Sequence, residues 1–255
     1  MSNASKETQT EKPAWPNEKK PPGFLNLVLS AFVEPKVVFD YLRLRGDFWR
    51  PFLTQGIILA VFSLLAAKPM LEISNAWVRM LGQQEKQMST LFYVQHTANS
   101  FLGLLISFVI VGFIVWLVGL ILTGEARFSI AISIAAYSYF PSLLGRVLDS
   151  ITIIVSPQIP STFQEFMPSQ MPAMYHTSIA QFIEGNAILN LTLVPIGIFT
   201  LWSLYLLVLG LHRSMGVKLG SAYVVGLILL LLQMGFFAFS AWAMQFAIKA
   251  AGMGG

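Results

Sequence analysis

Of the 255 residues in this chain, 55% are hydrophobic and 11% charged, and the mean hydropathy is +0.67, which excludes a soluble domain with its usual charged share of about 25%. The formal charge of +4 and the pI near 9.4 read as a membrane-topology signal rather than a nucleic-acid surface, because the basic residues are unevenly spread along the chain. With no cysteine, neither a disulfide nor a thiolate metal site can be built.

Residues 1–23 are polar and end in Lys19-Lys20-Pro21-Pro22-Gly23. They cannot bury enough apolar surface to order themselves, and they are expected to form a solvated cytoplasmic tail. No cleavable signal peptide is visible: the first apolar run begins at Phe24 and is interrupted by Glu34 and Pro35.

Residues 24–47 predict two short helices meeting at Pro35, a residue suited to a first helical turn and disruptive later. Val37, Val38, Tyr41, Leu42 and Leu44 recur at threes and fours, while Lys36, Asp40 and Arg43 take the other face. This is the pattern of an amphipathic helix lying in the cytoplasmic membrane surface, with basic residues towards anionic lipid. Packing of the same face against the bundle is an equal alternative. Lys36, Arg43, Arg45, Asp47, Trp49 and Arg50 form the candidate membrane-surface or partner site.

A crossing takes about 20 mostly apolar residues at 1.5 Å each, and residues 48–255 hold five such segments: 48–67, 98–122, 130–155, 187–211 and 222–248. The predicted fold is therefore an all-α integral membrane protein, a five-helix transmembrane bundle behind an N-terminal amphipathic interfacial helix. With five crossings, one side collects Lys6, Lys12, Lys19, Lys20, Lys36, Arg43, Arg45, Arg50, Arg127, Arg213 and Lys218, and the other only Lys68, Arg79, Lys86 and Lys249. Because basic residues stay in the cytoplasm, the N-terminus is expected there and the C-terminus outside, in the cytoplasmic (inner) membrane of a bacterium.

Of the two outer loops, 69–97 is polar with room for a helix over 74–87, and 156–185 lacks any basic residue and is expected to skim the interface. Met167, Met171, Met174 and His176 in the second would suit cuprous ion. Flexible apolar contact is the preferred reading, so no metal and no cofactor are expected.

The third segment concentrates Tyr137, Ser138, Tyr139, Pro141, Arg146 and Asp149. Arg146 and Asp149, three apart, share a helix face and can pair, and Pro141 predicts a kink that frees the carbonyl of Tyr137. Asn186 and Asn190, four apart at the start of the fourth segment, suit interhelical hydrogen bonds. Tyr137, Ser138, Pro141, Arg146, Asp149, Asn186 and Asn190 are the candidate intramembrane polar site; interfacial placement of the Arg146–Asp149 pair is the plainer alternative. Gly216 and Gly220 flank Lys218 and serve a tight turn. There is no phosphate-binding glycine loop, paired-histidine metal motif or nucleophile elbow, and His96, His176 and His212 fall on different sides. Catalysis is not expected.

Arg45-Gly46-Asp47-Phe48-Trp49-Arg50-Pro51-Phe52, Ala136-Tyr137-Ser138-Tyr139-Phe140-Pro141 and Leu209-Gly210-Leu211-His212-Arg213-Ser214-Met215-Gly216-Val217 together give a resemblance to the YIP membrane proteins, named for interaction with the small GTPases Ypt and Rab, and to their bacterial members in particular. The second stretch resembles the family's Gly-Tyr-x-x-x-Pro motif, and the third the loop joining the last two spans. The resemblance implies a five-span bundle with a cytoplasmic N-terminus and a non-enzymatic role; small GTPase binding is not carried over. The expected function is that of a scaffold or accessory subunit binding the lipid bilayer and membrane protein partners, possible homo-oligomers included. The alternative is a small-solute or ion transporter or channel component.

Overall fold

A computed structural model describes residues 23–250 apart from 81, 86–88, 162–164, 166–168 and 184–185. The expected tail, apart from Gly23, and Met167 lie outside the described residues. No strand occurs among the described residues; the backbone is helical almost throughout.

Gly23 leads into α1 (Phe24–Val33), and Pro35 opens α2 (Pro35–Leu44), so the chain breaks where a ring without an N–H can only begin a helix. Two long helices follow: α3 (Trp49–Met80) and α4 (Thr90–Thr123). The third span is divided into α5 (Phe128–Ser138) and α6 (Phe140–Val155) by Tyr139. Short pieces come next, α7 (Pro172–His176), a 3-10 turn (Ile179–Phe182) and α8 (Ala187–Leu193), before α9 (Ile198–Met215) and α10 (Leu219–Ala250). Among the described residues, five stretches are long and apolar enough to cross a membrane, with α5 and α6 counted as one.

Three expected boundaries are corrected. The helix of the first span does not end near Ala67: α3 runs through Pro69 to Met80, so residues 74–80 of the separate helix expected over 74–87 belong to α3 itself. One lost backbone bond at Pro69 is outweighed where Ala66 and Ile73 on either side pack against Ile153. The second helix starts at Thr90, capped by the Ser89 hydroxyl accepting from the Phe92 N–H at 3.2 Å, not at Ala98. The expected 187–211 span is broken between Leu193 and Ile198, because Pro195 cannot donate to the turn before it. Ile179 and Ile198 instead give their N–H groups to Ile196 and Thr177 in an antiparallel bridge between Ser178 and Gly197.

The α1–α2 pair, the turn at 124–127 and the turn at 216–218 gather at one end of the bundle, here called basal. Trp116 Nε1 donates to Ala126 O at 3.2 Å, and Gly124 and Gly216 adopt φ of +75° and +72° to end α4 and α9, a backbone open to glycine at little cost. The described residues among 82–89 and 156–197 lie at the opposite, distal end. The core is centred on α5, where every residue from Ile130 to Ser138 is buried, packed between α2, α3, α4 and α9. Gly112 makes this possible: a Cβ there would stand 2.9 Å from Ile132 Cα.

Candidate functional site

The basal face begins with α2. Val38, Phe39 and Leu42 are fully buried, and the alternative in which this face packs on the bundle is the one observed. Ser214 Oγ donates to Phe39 O at 2.7 Å, and Arg213 lies 3.9 Å from Asp40. Lys36, Arg43, Arg45, Trp49 and Arg50 are left on the outer surface. Asp47, half-buried, sits behind them: it accepts from the Tyr137 hydroxyl at 3.3 Å and lies 4.0 Å from Arg50. Tyr137, itself buried, thereby ties the third span to the chain entering the first.

The expected intramembrane site is divided among three places. Tyr137 belongs to the basal latch just described. Asp149 and the asparagines hold the distal loops: Asp149 Oδ1 accepts from the backbone N–H of Ala173 at 2.6 Å and of Met174 at 3.0 Å, completing the exposed start of α7 as a carboxylate does best. Asn190 Nδ2 donates to Tyr175 OH, Ala180 O and Ile183 O at 2.8–2.9 Å, and Asn186 caps α8 through Leu189 N. The asparagines therefore bind loop and cap rather than another span. The ion pair expected of Arg146 with Asp149 is not formed: no contact within 4.0 Å joins them, the two charges interact only at longer range, and Asp149 Oδ1 is taken by the loop's N–H groups. The loop methionines pack, Met171 beside Ala180 and Leu191, and Met174 beside Gly145.

Ser138 and Arg146 go to the third place, a lateral cleft of about 410 Å³ bounded by α4, the α5–α6 break, α9 and α10. Its walls are apolar (Phe108, Leu207, Leu229, Phe236), with polar groups spaced along it: Ser107, Ser142, Thr200, Ser203, Gln233 and Arg146. The Ser142 and Ser203 hydroxyls are 2.7 Å apart, and Ser203 Oγ also accepts from the Ser142 N–H at 3.2 Å. Ser138 Oγ, in a residue 2% exposed, has no hydrogen-bond partner among the described residues. The rim residues Ile110, Leu232 and Phe236 are more than half exposed, so the cleft opens between α4 and α10 towards what surrounds the bundle. Further towards the basal end of α4, α5 and α9, Val115, Ile134 and Leu211 are each fully buried.

Pro141 stands in the first turn of α6, and the side chain bracing the break reaches the carbonyl of Ala136 rather than that of Tyr137: Gln55 Nε2 donates to it at 2.8 Å. Gln55 was not among the expected site residues, nor were Ser142, Ser203, Thr200 and Gln233. For Gln55 a signal existed, since a lone amide inside an apolar span must find a partner there.

Among known families, the Yip1 domain matches over residues 29–241. The membrane protein YknW of Bacillus subtilis (strain 168) is 24% identical over 232 residues, covering 88% of this chain and 91% of that protein. No solved structure matches.

Proposed function

The chain belongs to the Yip1 domain family, and from that premise we propose that it works without catalysis as a scaffold or accessory protein of a bacterial cytoplasmic membrane, holding membrane partners or lipid. The observation carrying this reading is the clamped basal collar. Burial of Val38, Phe39 and Leu42 and the Ser214–Phe39 bond fix α2 against α9, while Lys36, Arg43, Arg45, Arg50 and Trp49 are presented outward on a rigid base. A basic and aromatic surface of this kind meets anionic headgroups or an acidic partner without first having to order itself. The excess of lysine and arginine at that end supports a cytoplasmic N-terminus. On this reading residues 1–23 are a tail, 24–47 the collar and 48–255 the bundle.

Transport is the weaker reading. A solute moving basally from the lateral cleft meets the fully buried Val115, Ile134 and Leu211 and would have to part them.

Photo-cross-linking side chains placed at Arg43 and Trp49 in native membranes test the proposal. A discrete protein or lipid adduct that disappears when Arg45 and Arg50 are changed to Glu is the expected result. The scaffold reading fails if no adduct forms and deletion of the gene leaves membrane composition unchanged.

A further inference from the structure

The lateral cleft holds a cation and an unpartnered hydroxyl that the collar does not use. Arg146 is exposed, has no carboxylate within 4.0 Å among the described residues, and lines the cleft with Ser107, Ser142, Thr200, Ser203 and Gln233. At 1.5 Å per residue, Arg146 lies about 27 Å along the third span from Phe128, and Ser142 about 21 Å. In a hydrocarbon layer about 30 Å thick, that puts the guanidinium at the distal headgroup level and the serines below it. Ser138 Oγ, buried and without a partner, lines the same cleft. The volume of about 410 Å³ falls in the ordinary range of small-molecule sites, roughly 300–1,000 Å³.

We infer that this cleft seats one anionic phospholipid of the distal leaflet, its phosphodiester on Arg146 and one acyl chain lying between α4 and α10. The inference rests on the reading of the protein as a binder of lipid or membrane partners, and it names the lipid class. Three features select the occupant. The guanidinium matches a phosphodiester with charge-assisted hydrogen bonds. No carboxylate lines the cleft, which leaves an ammonium headgroup without a counter-charge and favours a headgroup of hydroxyls, as in phosphatidylglycerol, beside Thr200, Ser203 and Ser142. The rim of Ile110, Leu232 and Phe236 opens sideways, giving an acyl chain a route that needs no movement through the bundle.

The test is lipid retention by the intact protein, purified from membranes in mild detergent, exchanged into phosphatidylglycerol or phosphatidylcholine, and weighed by native mass spectrometry. One retained phosphatidylglycerol is expected, with Arg146→Gln reducing retention at least about tenfold and Arg146→Lys preserving most of it. Arg213→Gln, at the basal end, should leave retention unchanged while reporting whether a lost arginine alone disturbs the protein. Equal retention of the two lipids, or undiminished retention by Arg146→Gln, overturns the inference. So does displacement of the lipid by millimolar glycerol phosphate, which would make the cleft a site for a soluble anion. The collar adducts read the scaffold proposal independently: they vanish with that reading and persist if only the cleft assignment fails.

Discussion

The two halves of the third span bury their residues in different patterns. In α5 nine consecutive residues are buried, and Ser133 Oγ among them donates to Ser129 O in its own turn at 2.6 Å. In α6, a residue away, Leu144, Arg146 and Leu148 are exposed while Leu143, Gly145 and Asp149 are buried. A helix apolar on all sides belongs at the centre of a bundle, and a helix with a polar stripe belongs at its edge. The break at Tyr139 therefore joins a post, whose work is packing, to a strut, whose polar side chains hold a loop on one side and line a cleft on the other. Losses in α5 should be global and losses around α6 local.

The largest test is at the post. Gly112→Ala would push a methyl group to 2.9 Å from the Ile132 backbone, which cannot move aside as a side chain can, so a loss of about 3 kcal/mol is expected. Thermal unfolding in detergent should show it, against no change for Gly103→Ala, whose added methyl meets nothing within 4 Å. If the two variants melt alike, α5 is not closely packed. Next comes Asp149→Ala, which removes the acceptor of two backbone N–H groups and should cost about 2 kcal/mol confined to the distal loops. Hydrogen exchange should accelerate at Ala173 and Met174 while the midpoint of global unfolding barely moves.

Gln55→Leu keeps the volume and removes the side-chain donor to the Ala136 carbonyl, which keeps only the long 3.4 Å bond from the Tyr139 N–H at the junction of post and strut. About 1 kcal/mol is expected, seen as a lower melting midpoint that Gln55→Asn, one methylene too short, does not restore. Smallest is Ser203→Ala, which breaks the hydroxyl pair with Ser142 at a cost of about 0.6 kcal/mol, the average for such bonds between membrane helices. A loss several times larger would mean that the cleft wall, and not only the post, holds the bundle together.

What was legible in the chain follows the same division. Hydropathy is a local property, so the five crossings and the junction at Pro35 could be read directly. Proline effects were legible only where nothing distant intervened: Pro69 passes inside α3 because Ala66 and Ile73 find Ile153, a contact no window around Pro69 contains. Pro195 ends a helix because Ile179 and Ile198 have a bridge to join. The polar residues were visible as types, but their partners were not. Arg146 and Asp149 share a face by spacing, yet the carboxylate prefers N–H groups 24 and 25 residues further on. Gln55 finds Ala136 across 81 positions. Spacing can nominate neighbours on one helix; it cannot rank them against donors that arrive with another loop.

The hydrogen bond from Ser214 to Phe39 spans 175 positions, and this sets an order of events during synthesis. Chains emerge N-terminus first, so α1 and α2 leave the ribosome long before α9, which supplies the groove for Phe39, has been made. In that interval Val38, Phe39 and Leu42 have only the bilayer surface or an insertion factor to rest on. Two helices translated ahead of every span are thus among the last to reach their final place, and a chain truncated before Ser214 would be left without the bond that holds Phe39.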